Sequence, residues 1–352
     1  SSSTLDTLIV GQGLAGSALA WHLIHAGQRV CVLDDRHASA SSMVAAGLVN
    51  PLAGMRFNRR PELPDWLAAA DRWYAELETR FGQRLFHRLP MLRLFRSAKQ
   101  RRFYERRTED PTCHELLGAP FAADGCPETV RAPYGGFGQY RTGYIDLPQL
   151  LLRMRAWLSA RGCLVERALD CEQIECVAGG VRAAGLRADR LVFCDGARLR
   201  FNRWFRDLPL APDKGEILNL KIEDWQTRHI INGAHWLVPM VNGEIRLGAT
   251  HEHQQLDDHP TDAARQALLA GLAKLLPTAM TAQLVGHRAA IRPATSDRYP
   301  LIGAHPDYPN LWVFNGFGGH GALQTPWYAE RLTAHLRSAL PLPAEADIRR
   351  FQ

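Results

Sequence analysis

"TLIVGQGLAGSALAWHLIHAGQRVCVLDD" (Thr7–Asp35) decides the fold class. Leu8, Ile9 and Val10 make a short apolar strand. Leu14 to Ala26 carries helical periodicity, and Val30, Val32 and Leu33 make the next strand, so the stretch reads as a βαβ unit. Gly11, Gly13 and Gly16 form GxGxxG at the strand-to-helix turn, with Leu14 and Ala15 opening the helix. The first glycine permits the tight turn. The second lets backbone approach a pyrophosphate at the helix N-terminus, and the third lets helix pack on strand. The second strand ends in Asp34, 23 residues after Gly11, where a carboxylate can accept both ribose hydroxyl hydrogens; Asp35 is the alternative acid. This context predicts dinucleotide binding and leaves open which dinucleotide.

Further along, "HASASSMVAAGLVNP" (His37–Pro51) is rich in small residues. Ser41 and Ser42 supply hydroxyls, and Ala45, Ala46 and Gly47 would let a flat ring approach the backbone. By themselves these residues read equally well as a surface loop. Helices are expected over Asp65–Phe81, over Gly143–Gly162 with Asp146 as N-cap and Gly162 closing, and over Thr261–Pro277. Phe86–Phe95 alternates like a strand. Ala188–Arg198 is a strand ending in a turn, with Cys194 and Gly196 at its close. From about Asp213 the chain alternates between short strands, and Asn242–Gly243 marks a hairpin. The expected architecture is α/β: a Rossmann-like cofactor domain from residues 1–80, 145–212 and 285–352, interleaved with a substrate domain on a mostly antiparallel sheet from residues 81–144 and 213–284.

The 352 residues carry a formal net charge of +6 and seven scattered cysteines without CxxC or zinc spacing. That pattern fits a reducing, cytoplasmic setting, and no apolar run approaches the length of a membrane span. A strand begins almost at once, so no signal peptide is expected, and the leading Ser1–Ser3 reads as a tag remnant. "KQRRFYERR" (Lys99–Arg107) reads as a solvated helix face. "THEHQQLDDH" (Thr250–His259) has the residue types of a metal site, but nothing in the spacing makes them converge, so no metal is expected.

Four motifs in order along nearly the whole chain resemble the FAD-dependent D-amino-acid oxidase (DAO) family, whose members include glycine oxidase, sarcosine oxidase and the oxidase domain of an enzyme modifying the tRNA wobble uridine. They are the GxGxxG with its acid, "SSMVAAGLVNP" (Ser41–Pro51), "LVFCDGAR" (Leu191–Arg198), and "IRPATSDRYPLIG" (Ile291–Gly303) followed by the glycine loop "NGFGGHGAL" (Asn315–Leu323). The resemblance implies non-covalent FAD held by those segments, with Gly316, Gly318, Gly319, His320, Gly321 and Ala322 at the flavin ring. "CDG" departs from the usual Ala-Ala-Gly; Cys194 suits burial, while Asp195 is expected to turn to solvent.

The same resemblance implies that Arg292 holds a substrate carboxylate, that Arg246 stands where some members carry a lysine near the flavin, and that His320 sits by the ring where an amino-acid oxidase can place an arginine. Asp297 and Arg298 are read as a structural pair. The closing helix, with Pro326 in its first turns, is expected to point its N-terminus at the ring. The implied reaction is oxidation of the C–N bond of an amine or amino acid, with oxygen or another electron acceptor. Action on a carboxymethylamino-type amine carried by tRNA is the runner-up, and a flavin-binding protein without turnover is the reading of another class. Monomer and homo-oligomer are both compatible with the sequence.

Overall fold

A computed structural model describes residues 4–36, 40–276 and 281–352. Ser1–Ser3, His37 at the head of the small-residue segment, and Pro277 at the end of an expected helix lie outside them.

Strand Leu5–Val10 is the centre of the first sheet. It pairs in parallel with Val30–Asp34 on one side and Leu186–Phe193 on the other. Leu164–Glu166 and Leu311–Asn315 extend the parallel part, and short antiparallel strands complete eight. The side-chain alternation of these strands divides the core. Ile9, Val32 and Val192 pack beneath the helices Leu14–His25, Leu63–Phe81, Leu147–Ala160 and Gly321–Ser338, while Leu8, Leu33, Leu191 and Val313 fill the opposite face.

A second eight-stranded sheet runs from Ala282–Arg292 through Asp213–Ile222, Ile245–Gly248, Trp236–Pro239 and Ile230–Asn232 to three strands from residues 91–139. It is antiparallel except where Ile230–Asn232 meets Met91–Leu94. Helix Asp262–Leu275 covers one face, with Leu268 and Leu272 against Leu218, Leu220 and Leu247. A three-stranded sheet of Leu48–Val49, Gly143–Ile145 and Phe86–Arg88 is hydrogen-bonded to neither, and its Tyr144 packs with Met91, Ile230 and Val238 of the second sheet.

Several boundaries differ from the sequence reading. Phe86–Phe95 is two strands, because Pro90 interrupts the ladder between Arg88 and Met91. The helix expected from Asp65 starts at Leu63, with Pro64 in its first turn. The stretch from Gly143 begins as a strand and becomes helical only at Leu147, after Asp146 caps the Gln149 N–H. Pro326 lies inside the last helix, more than one turn beyond its start at Gly321. Lacking an N–H, it leaves the Ala322 carbonyl without its helical donor, and the buried Tyr74 hydroxyl takes that place at 2.6 Å. No helix among the described residues is long and apolar enough to cross a membrane, and all seven cysteines are free.

Candidate functional site

A cavity of about 1230 Å³ opens where the parallel strands of the first sheet end and the uncovered face of the second begins. It exceeds the roughly 300–1,000 Å³ usual for a small ligand, which suits a dinucleotide with a substrate beside it. Val10, Leu33, Phe193 and Asn315 bring the ends of four strands to it. This is where open α/β sheets bind ligands, because the connecting loops diverge there. Asp213, Gly215, Ile217, Trp236, Ala290 and Arg292 form the opposite wall.

The glycine turn leaves no room for side chains, so only backbone can face a phosphate there. Gly11 has φ +98°, and a Cβ there would stand 2.5 Å from the Cys194 carbonyl oxygen. A Cβ on Gly16 would fall 1.8 Å from the Gly11 oxygen, so the third glycine is what seats the helix on the turn. The residues that precede this helix and the last one, Gly13 and His320, give no side-chain cap. The two starts are close: Leu14 Cδ2, in the first helix, stands 3.7 Å from where a Cβ on Gly321 of the last helix would be. Two positive helix ends therefore converge on one cavity.

Among the expected cofactor-side residues, all but Gly16 line this space. Gly16 lies just behind it. Ser42 Oγ accepts the Leu14 N–H at 3.2 Å and ties the small-residue segment to the helix start. The segment is partly helical, over Ser41–Val44, before the chain turns at Gly47. Asp34 accepts the Gln12 N–H at 2.9 Å, beside the glycine turn, and is gripped by Arg155 at 2.7 Å. Asp35 pairs instead with Arg198. Neither Gln12 nor Arg155 stands out in the sequence. Gln12 hides in the variable second position of GxGxxG, and Arg155 sits on a helix whose pairing depends on the fold.

Asp195 does not turn to solvent. It lines the cavity and accepts from Asn315 Nδ2 at 3.0 Å, and burial pushes its carboxyl up to about 7, against the smaller opposing pull of Asn202, Asn315 and Arg198. Asp297 pairs with Arg350, not with its neighbour Arg298; Arg298 has φ +63° and turns to the cavity. Burial, with Arg298 and Arg60 nearby, pushes His320 down to about 4, so its imidazole is neutral at neutral pH.

Arg246 is not among the lining residues. Its Nη1 donates to the Ala45 carbonyl at 3.0 Å, bracing the small-residue segment from behind, and burial lowers its pKa. In the Thr250–His259 loop, His251 Nδ1 lies 2.7 Å from Asp213 and His253 Nδ1 lies 3.3 Å from the Pro212 carbonyl. Among the described residues no three metal-ligating side chains come together.

Arg292 reaches the cavity from the end of Ala282–Arg292, and the last glycine loop lies against it: its Cδ is 3.9 Å from where a Gly319 Cβ would stand. The guanidinium is already engaged. Nη1 donates to Asp213 Oδ2 at 2.7 Å, with longer contacts to the Thr250 carbonyl.

A glycine cradle at the switch point of a parallel sheet, facing a second sheet with an arginine in its wall, defines a dinucleotide-dependent oxidoreductase. Comparison with known proteins gives the family. The profile described as "FAD dependent oxidoreductase" (DAO) matches residues 6–335, and the chain belongs to that family. It is an FAD-dependent oxidoreductase. It is 26% identical to the glycine oxidase of Pseudomonas putida over 360 residues, covering 96% of each chain. It is 31% identical to the tRNA 5-methylaminomethyl-2-thiouridine biosynthesis bifunctional protein MnmC of Caulobacter vibrioides, covering 96% of this chain and 55% of that one. The solved glycine oxidase from Geobacillus kaustophilus superposes with a TM-score of 0.84 at 21% identity, covering 99% of this chain and 98% of that one, a likeness of fold.

Proposed function

We propose that this chain oxidises the C–N bond of a small amine or amino acid, with non-covalent FAD lying from Asp34 and the glycine turn to the glycine loop at Gly316–Gly321. The observation that supports it most directly is that Arg292 Cδ stands 3.9 Å from where a Gly319 Cβ would be, which sets a guanidinium donor beside the segment assigned to the flavin ring. Bound FAD supplies a two-electron acceptor: a hydride leaves the substrate carbon next to nitrogen, and the resulting imine is hydrolysed by water. The chain's own residues supply position and field. Arg292 orients an acceptor group of the substrate. The uncapped helix start at Gly321 favours negative charge developing at the ring. His320, neutral at neutral pH, adds no positive charge near the reacting carbon. The strands and helices of residues 1–80, 145–212 and 293–352 are assigned to the cofactor and those of residues 81–144 and 213–292 to the substrate; the boundary expected at residue 285 moves because strand Ala282–Arg292 pairs along its length with Asp213–Ile222 in the second sheet.

Anaerobic mixing of the holoenzyme with D-amino acids, glycine, N-methyl amino acids and simple amines tests the reading. Bleaching of the flavin absorbance band by one of them supports it. Inertness to the whole panel, with FAD bound, returns the chain to a flavin-binding role without turnover.

The 31% identity to MnmC favours one second reading, an amine carried on tRNA. Helix Ala98–Thr108 exposes Arg101, Arg102 and Arg106 on a surface such a partner could use. Salt-sensitive binding of tRNA supports it; no binding at low salt removes it.

A further inference from the structure

The polar end of the substrate wall is a pair of opposite charges. Asp213 and Arg292 stand directly opposite each other on neighbouring antiparallel strands. Their side chains are 11% and 21% exposed, and they meet at 2.7 Å. The position of Arg292 is built in by Gly215, two residues along the strand from Asp213. A Cβ there would stand 2.1 Å from Arg292 Nη2 and 2.4 Å from Cζ. Glycine thus lets the guanidinium lie flat over its own sheet, beside Asp213, instead of extending alone into the cavity. His251 Nδ1 approaches the same Asp213 oxygen at 2.7 Å, while Oδ1 is buried with no hydrogen-bond partner.

A lone guanidinium attracts a carboxylate through its full charge. A guanidinium paired with a buried carboxylate has most of that attraction cancelled, and an incoming carboxylate also meets Asp213 at short range. What the pair can match is a group with no net charge that offers Arg292 an acceptor. Arg292 donates to the acceptor.

We propose that Asp213 is the specificity-determining residue of this site. It masks the charge of Arg292, so that the site selects a substrate carrying a neutral carbonyl, of the amino-acid amide type, over one carrying a free carboxylate. The proposal rests on the assignment of Arg292 to the substrate end of the cavity.

The test is ligand binding to the holoenzyme, read from perturbation of the flavin absorbance band, and needs no turnover. The probes are two matched pairs, acetate with acetamide and benzoate with benzamide. Wild type binds the amide of at least one pair more tightly than its carboxylate. Asp213→Val and Asp213→Asn reverse the order, with carboxylate affinity rising tenfold or more. A gain of affinity cannot come from a damaged fold. A wild type that prefers carboxylates, or responds to neither amide, overturns the proposal, as do folded variants without the gain. If the variants lose FAD, the wild-type preference alone decides. An amide preference in a protein that oxidises no amine would leave this inference standing while the proposed reaction fell.

Discussion

The Tyr74 hydroxyl donates to the Ala322 carbonyl across 248 residues of sequence, at 2.6 Å. It supplies the donor that Pro326 cannot. The two elements it joins, Leu63–Phe81 and Gly321–Ser338, carry the last helix to the cavity with its start uncapped. Tyr74→Phe leaves that carbonyl buried and unpaired, so it should lower stability by about 1–3 kcal/mol. In a Pro326→Ala background, where the helix regains its own N–H, the same change should cost clearly less. Urea denaturation of the four proteins gives the coupling; equal costs in both backgrounds would show that the hydroxyl does not stand in for the missing donor.

Gly16→Ala places a methyl group 1.8 Å from the Gly11 carbonyl oxygen, a backbone atom that cannot step aside. The helix must lift off the turn that cradles the phosphates. The purified variant should therefore carry little or no FAD while keeping its circular dichroism. The ratio of flavin to protein absorbance measures this, and full occupancy would remove the glycine turn from the cofactor site.

Burial holds the Asp195 carboxyl near 7, above its ordinary 3.8. Between those values the folded protein retains a proton that the unfolded chain has released. Stability conferred by this residue therefore falls as pH rises from about 4 to about 7, and levels off above that. The effect should be on the order of one to a few kcal/mol. Asp195→Asn should remove this part of the slope in urea unfolding measured at steps of pH. An unchanged slope would mean that some other group sets it.

Arg246 braces the Ala45 carbonyl. Arg246→Lys keeps a cation that can reach that oxygen, whereas Arg246→Ala leaves a cavity behind the small-residue segment. The expected order of FAD retention during dialysis is wild type, then lysine, then alanine. If alanine retains FAD as wild type does, the brace has no role in holding the cofactor.

Local rules make the cofactor end legible from sequence. A strand, a turn that only glycine can make, and a helix are set by neighbours within a few residues, so Thr7–Asp35 reads as a βαβ unit by itself. The small-residue segment and the last glycine loop are visible because missing side chains leave a mark in composition. Helix Asp262–Leu275 follows from periodicity, within the stretch Thr261–Pro277 expected to be helical. The substrate end is not readable in this way. Arg292 stands out as a charge among apolar residues and reads as a substrate anchor or one half of a salt bridge, but the sequence does not say which acid would be its partner.

The sequence by itself thus determined a dinucleotide cradle, a second, mostly antiparallel sheet and an arginine expected to meet the substrate. Tertiary structure alone decided that Asp213, 79 residues from Arg292, stands opposite it. It also decided that Arg350 takes Asp297 from its neighbour Arg298, that Arg246 braces the cavity wall from behind, and that Asp195 faces the cavity. Each of these depends on which strands pair and in what register. Register is fixed by burying whole faces of a sheet, a sum over many distant residues that no local window of sequence contains.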